Sequence, residues 1–184
     1  MRTRHRALTA LAMTSLVALP LAACSGETEE KPTEAAAQEA LPSPDPADAT
    51  PQERIEAYFE ASDAAAAEGW KDVSFHERYL VPELSEKAQA DGKKRAESGA
   101  TISGERRLTN WISVEQTDTG ATVEFCDDTT ELTATTNGET TDISNSGKLV
   151  AQFKLVRESE SGIWLIEQKG YYDAAITCGA HFAN

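Results

Sequence analysis

The chain has 184 residues, 17 Lys+Arg against 31 Asp+Glu and a formal net charge of −14; 40% of it is hydrophobic, 7% aromatic and 26% charged. That length accommodates one globular domain with tails and leaves little room for two full domains. The acidic balance argues against a nucleic-acid binder, which needs clustered Lys/Arg to neutralise phosphates, and against a polybasic reader of membrane surfaces.

The charge is unevenly distributed: +3 over residues 1–23, −6 over 24–50 and −11 over 51–184. Met1–Arg6 is a short basic stretch, and Ala7–Ala22 is an apolar run broken by Thr and Pro20. The run is short for a membrane-spanning helix and ends in small residues, as a secretory signal does. It closes on Leu21-Ala22-Ala23-Cys24, followed by Ser25-Gly26. This resembles the lipobox of bacterial lipoproteins: an aliphatic residue, two small residues, then Cys. The resemblance implies that residues 1–23 are a signal peptide and that Cys24 carries the lipid. The mature chain is then anchored to the outer face of the cell membrane. The alternative is an ordinary signal cleaved near Ala23, with Cys24 a spare thiol.

Residues 24–51 are expected to be an acidic, disordered tether. Ser25–Gln52 holds five of the seven prolines, with Glu, Ala, Asp, Ser and Thr making up most of the rest. So few apolar groups cannot offset chain entropy, while Pro and like charges keep the segment extended. The domain proper is expected over 52–184.

Pro51-Gln52-Glu53 opens a helix, with Pro suited to the first turn and Glu53 to the positive end of the dipole. Ile55, Tyr58, Phe59, Ser62 and Ala66 fall on one face at helical period, and Gly69 is the stop. A shorter helix is expected from Ser74, with Glu77 at capping-box spacing. Pro82 ends it and starts a third. Leu84, Ala88 and Ala96 give that third helix a thin apolar stripe weakened by Gly92, so it reads as a surface helix over one sheet edge.

From Thr101 the pattern becomes β. The first strand is expected over Ile102–Gln116, long enough to need a bend or bulge. Thr117-Asp118-Thr119-Gly120 is a turn. The second strand covers Thr122–Thr136, interrupted near Asp127-Asp128. Asn137-Gly138 turns again, and Glu139–Ser146 reads as a polar loop. The third strand is Lys148–Glu158, with Leu149, Ala151, Phe153 and Leu155 on one face. The fourth is Ile163–Gln168, apolar on both faces. Hairpin connections make the strands antiparallel.

Cysteine arithmetic completes the framework. With Cys24 assigned to lipid, Cys126 and Cys178 remain as an even pair in an exported chain, for which a disulfide is the expectation. A reactive thiol pair is the alternative, though no Cys-x-x-Cys motif supports it. His5, His76 and His181 have no metal-ligand spacing, so no metal is expected. No phosphate loop or nucleophile triad appears, so no cofactor is expected either.

Two to three N-terminal helices followed by about four long antiparallel strands is an α+β layout, with helices on one face of a curved sheet. The block IEAYFEASDAAAAEGWKDVSFHERYL, followed late by GIWLIEQ, resembles the NTF2-like (cystatin-like α+β cone) superfamily. Small exported actinobacterial lipoproteins look similar. The resemblance implies a pocket inside the cone, for which Tyr58, Trp111, Phe125, Phe153 and Trp164 are the candidate lining residues. Enzymes of the superfamily place an Asp base and a Tyr there. Asp127, Asp128, Tyr58, Tyr79, His76 and Trp111 are the matching residue types here, none in a recognisable motif. His76 reads equally as a surface histidine, Asp127-Asp128 as a bulge or turn, and Tyr171, Tyr172 and Phe182 as packing against the sheet.

Three functions are compatible with these features. The first is a non-catalytic binding or scaffold module for an extracytoplasmic protein or a small apolar ligand, which is the expectation. The second is an isomerase- or dehydratase-type enzyme, which a buried Asp–Tyr or Asp–His pair in the cone would favour. The third is a surface interaction protein presenting the Glu139–Ser146 loop.

Overall fold

The computed structural model describes residues 45–141, 143 and 147–183. The signal, Cys24 and most of the tether lie outside the described residues.

Helix α1 spans Pro51–Ala67 and begins with a capping box that the spacing of Thr50 and Glu53 encodes: each side chain bonds the other's backbone N–H. Such a cap contributes about 1 kcal/mol. The second helix, α2, is a single turn over His76–Tyr79. The capping box expected at Ser74 does not form; the N-cap is Phe75, and the Ser74 N–H donates instead to the Asp72 carboxylate. Helix α3 runs over Pro82–Glu97. It packs on α2 and the first strand rather than along an edge of the main sheet. Gly92 lets it approach: a Cβ there would lie 2.6 Å from Val73 Cγ1.

The expected single sheet is two sheets. Strands β1 (Ala100–Ser103), β4 (Thr133–Thr136) and β5 (Glu139–Thr141) form a small antiparallel sheet in the order β1-β4-β5. Strands β2 (Arg107–Gln116), β3 (Gly120–Asp128), β6 (Lys148–Val156) and β7 (Leu165–Tyr171) form the larger one in the order β2-β3-β6-β7. The first predicted strand is therefore two strands. The chain breaks at Gly104, whose φ of +109° and 2.1 Å Cβ-to-Glu131 carbonyl approach admit no side chain. The second predicted strand also splits, after Asp128. Part of the predicted polar loop is β5, joined to β4 through Asn137-Gly138, both at positive φ. Residues 142 and 144–146 of that loop are outside the described residues.

The inner face of the large sheet carries the core. Phe125, Ala151, Phe153 and Ile166 are fully buried and meet Ile55 and Phe59 of α1. Arg54 ties the layers together, donating from Nε to the Trp164 carbonyl at 3.1 Å and from Nη2 to the Arg78 carbonyl. The outer face is crossed by the C-terminal segment. The Tyr172 N–H donates to the Val150 carbonyl, Leu149 bridges Thr177, and Cys126 is disulfide-bonded to Cys178 with their Cα atoms 5.6 Å apart. Glu124 accepts bonds from Gln152 and Tyr172 and pairs with His181 Nε2 at 2.8 Å. The short helix α4 (Cys178–His181) closes this tail.

Candidate functional site

The aromatic core fills half of the inner sheet face and stops. Beyond it lies a cavity of about 700 Å³, bounded by α1, α2, α3, the small sheet and the ends of β3 and β7. Its walls hold ionisable groups that the strand phases aim inward. Asp127 on β3 shares the inner face with Phe125, two residues away, because strand side chains alternate. On β7 the alternation is interrupted: Lys154 pairs with Gln168 but Leu155 pairs with Ile166, leaving Glu167 as an extra residue. The bulge puts Ile166, Lys169 and Tyr171 on the same side.

Arg106 stands at the β1–β2 break and holds two acids. Its Nη1 donates to both Asp127 oxygens at 2.8 and 2.7 Å, and Nε and Nη2 donate to Asp63 at 2.9 and 3.2 Å. Its guanidinium lies 4.6 Å from the Phe59 ring centroid. Burial alone would depress the Arg106 pKa, but the two carboxylates raise it overall. Burial raises the Asp127 pKa, and Arg106 offsets part of that rise. Tyr171, 49% exposed, donates to Asp127 Oδ2 at 3.0 Å.

On the same face of β7 as Tyr171, Lys169 Nζ donates to Tyr58 Oη at 2.6 Å and lies 4.8 Å from the ring centroid. Burial lowers Lys169 to about 8 and raises Tyr58 to about 12. No carboxylate among the described residues lies within 4 Å of the Lys169 ammonium. His76 lies beside them, its ring 5.9 Å from that of Tyr58 and 4.0 Å from that of Phe75. His76 Nδ1 and Trp70 Nε1 are buried without a hydrogen-bond partner among the described residues, and both residues line the cavity.

Burial, reinforced by the positive charge of Lys169, lowers His76 to about 4, so its ring is neutral at pH 7. The ordinary value of 6.5 belongs to the unfolded chain, which therefore takes up this proton first as pH falls. Stability from the buried neutral ring is complete above pH 6.5 and is lost on acidification toward pH 4. Urea unfolding at pH 7 and pH 4 is expected to show a loss on the order of 2 kcal/mol in the native chain beyond that in His76→Gln. Equal losses in the two proteins would contradict the buried neutral ring.

Of the five residues expected to line a pocket, only Tyr58 does. Phe125, Phe153 and Trp164 are almost fully buried in the packed core, and Trp111 stacks on Phe125 with centroids 4.5 Å apart. Large aromatic rings fill space rather than frame it, so the cavity lies where the inner face turns polar. His76 is 4% exposed and not a surface residue. Asp127 and Asp128 end a strand and part ways. Asp127 faces the cavity, whereas Asp128 accepts from Thr130, which holds its pKa near 2, and lies 3.2 Å from Lys148 Nζ. Tyr79 lies under the Arg54 guanidinium at 4.5 Å, away from the cavity. Tyr172 and Phe182 pack on the disulfide, and both Tyr171 and Tyr172 contribute to the cavity lining. The tail does not cover the residues leading into β7: Ile163, two residues before the strand, is 44% exposed and lines a groove with Leu165, Val81 and Tyr79. Among the described residues no cluster of three His, Cys, Asp or Glu is placed to hold a metal.

No family model and no curated protein matches the chain. Among solved structures it is similar to the intermembrane space region of chloroplast protein ARC6, with a TM-score of 0.47 and 14% identity over 66% of this chain and 92% of that one.

Proposed function

We propose that this chain is a lipid-anchored extracytoplasmic protein whose domain binds a small molecule in the cavity and does no chemistry on it. One observation carries the reading: the aromatic core leaves a space of about 700 Å³ beside the inner sheet face, lined by the polar side chains of Tyr58, Lys169, Arg106 and Asp127 as well as by apolar groups. A concave space of that size with a few convergent polar groups on partly apolar walls has the make-up of a small-molecule site. We assign the domain to the NTF2-like kind on the order of its elements, helices first and long antiparallel strands after, and on a cavity against the inner sheet face. The anchor rests on Leu21-Ala22-Ala23-Cys24, and a Cys126–Cys178 bridge suits the same compartment. The walls mix Ala, Leu and Ile with ionised groups, so the ligand has a polar end as well as an apolar body.

A second reading, an acid–base enzyme, is favoured by the Asp127–Tyr171 pair. Against it, Arg106 donates to both oxygens of that carboxylate and Tyr171 to one of them, so Asp127 is already occupied and poorly placed to take a proton from a substrate. Native mass spectrometry of the full chain extracted from its membrane in detergent tests the proposal. The intact mass is expected to show an acylated chain beginning at Cys24, plus a non-covalent adduct. Ser62→Trp, which fills the cavity from α1, is expected to lose the adduct and keep the fold. No adduct, or an adduct retained by Ser62→Trp, would overturn the binding role; an unacylated chain would overturn the anchor.

A further inference from the structure

The two charged groups of walls in the cavity are not equivalent. Arg106 is spent on Asp63 and Asp127, so that wall carries two carboxylates against one guanidinium and repels anions. Lys169 is the reverse. It sits on β7 behind a bulge that turns it inward, it is bonded only to a neutral phenol, and no carboxylate among the described residues reaches it within 4 Å. Asp91, Lys87 and Arg95 of α3 are the exposed charged groups nearest this end of the cavity; Asp91 and Lys87 act on Lys169 with opposite signs from beyond contact.

The donors here outnumber the acceptors. An ammonium has three N–H groups, and Tyr58 accepts one from Lys169, which leaves the phenol's own proton free to donate. An ammonium and a phenol O–H together match the oxygens of one carboxylate, which accepts up to about four hydrogen bonds. One free positive charge in a space that also holds the Asp63 and Asp127 carboxylates suits one negative charge and disfavours a dianionic phosphate. Resting on the binding role proposed above, we infer that the ligand is an apolar carboxylate, its head group on Lys169 Nζ and Tyr58 Oη. Its chain lies along the apolar wall formed by Ala66, Ala88, Ile102 and Leu132.

Burial has already lowered Lys169 to about 8, and a bound carboxylate would restore it toward its ordinary value, so binding and protonation of this amine reinforce each other.

Octanoate and octanamide differ in charge and scarcely in size, and titrating both into the full chain in detergent by calorimetry at pH 7 separates the two ideas. Octanoate is expected to bind at least tenfold more tightly than octanamide, and Lys169→Met is expected to make the two equal. Tyr58→Phe is expected to weaken octanoate severalfold while leaving octanamide unchanged, which distinguishes a donor to the head group from a residue that only fills space. Equal binding of the two probes to the native chain would overturn the carboxylate inference while leaving the cavity a binding site. An undiminished preference in Lys169→Met would overturn it too, by placing the anion elsewhere. Should Lys169→Met fail to fold, the preference in the native chain and its severalfold reduction in Tyr58→Phe decide the matter. Binding of neither probe, with an adduct still retained in native mass spectrometry, would reject this ligand class alone.

Discussion

Replacing Arg106 by Ala is expected to lower the unfolding free energy by about 3–5 kcal/mol. The guanidinium holds Asp127, whose side chain is 3% exposed, and Asp63, which is partly exposed. Removing it leaves a carboxylate buried without its countercharge, and the penalty for that exceeds what the pair contributes when intact. Asp127 is then expected to take up a proton, so the deficit shrinks on mild acidification. Urea unfolding followed by tryptophan fluorescence measures it. Replacing Arg106 by Met together with Asp127→Leu is expected to recover most of the loss, because apolar groups of similar volume leave nothing unpaired. A loss under 1 kcal/mol in the Ala variant would mean that water in the cavity already screens these charges.

The second large effect belongs to the disulfide. Cys126 and Cys178 are 52 residues apart, and the chain-entropy model gives about 4 kcal/mol for closing a loop of that size. Cys126→Ala with Cys178→Ala is expected to lower stability by about that amount and to release the tail from the outer sheet face. The Glu124 contacts with Tyr172 and His181 are then expected to loosen, because the bridge holds their segment in place. Urea midpoints of the oxidised chain and the variant, at equal slope, give the figure directly. Coincident midpoints would show that the tail's own packing around Val150 and Phe182 suffices.

Both effects concern groups that differ in how readily the sequence discloses them. The bridge follows from counting cysteines once the N-terminus is read as an export signal, and the helices from an apolar period and from prolines at their starts. The alternation of Leu149, Ala151, Phe153 and Leu155 likewise assigns the inner face of β6 correctly. The cavity was hidden for three local reasons. Gly104 ends one strand and lets the next begin in another sheet, a break decided by the close approach of the Glu131 carbonyl, which no pattern announces. That break is what positions Arg106, which otherwise reads as an ordinary mid-strand charge. The Glu167 bulge reverses the phase of β7, so that Lys169 turns inward although simple alternation sets it opposite Ile166. The aromatic residues, expected to frame a pocket, pack on one another instead, and the open space lies at the polar end of the same face. One signal was legible and overlooked: Thr50-Pro51-Gln52-Glu53 has capping-box spacing, whereas attention to Ser74 and Glu77 picked a spacing that tertiary packing overrides.

The account stands on the claim that the space between the helices and the two sheets takes a ligand with its acid head at Lys169. Crystals of the chain soaked in 8-bromooctanoate test that claim most directly, because the anomalous signal of bromine locates the far end of the molecule without interpretation of weak density. The bromine is expected inside the cavity near Leu132 and Ile102, with the carboxylate within hydrogen-bond distance of Lys169 Nζ and Tyr58 Oη. A bromine found only outside, against the exposed Ile112 and Val114 of β2 or in the groove beside Ile163, would contradict it.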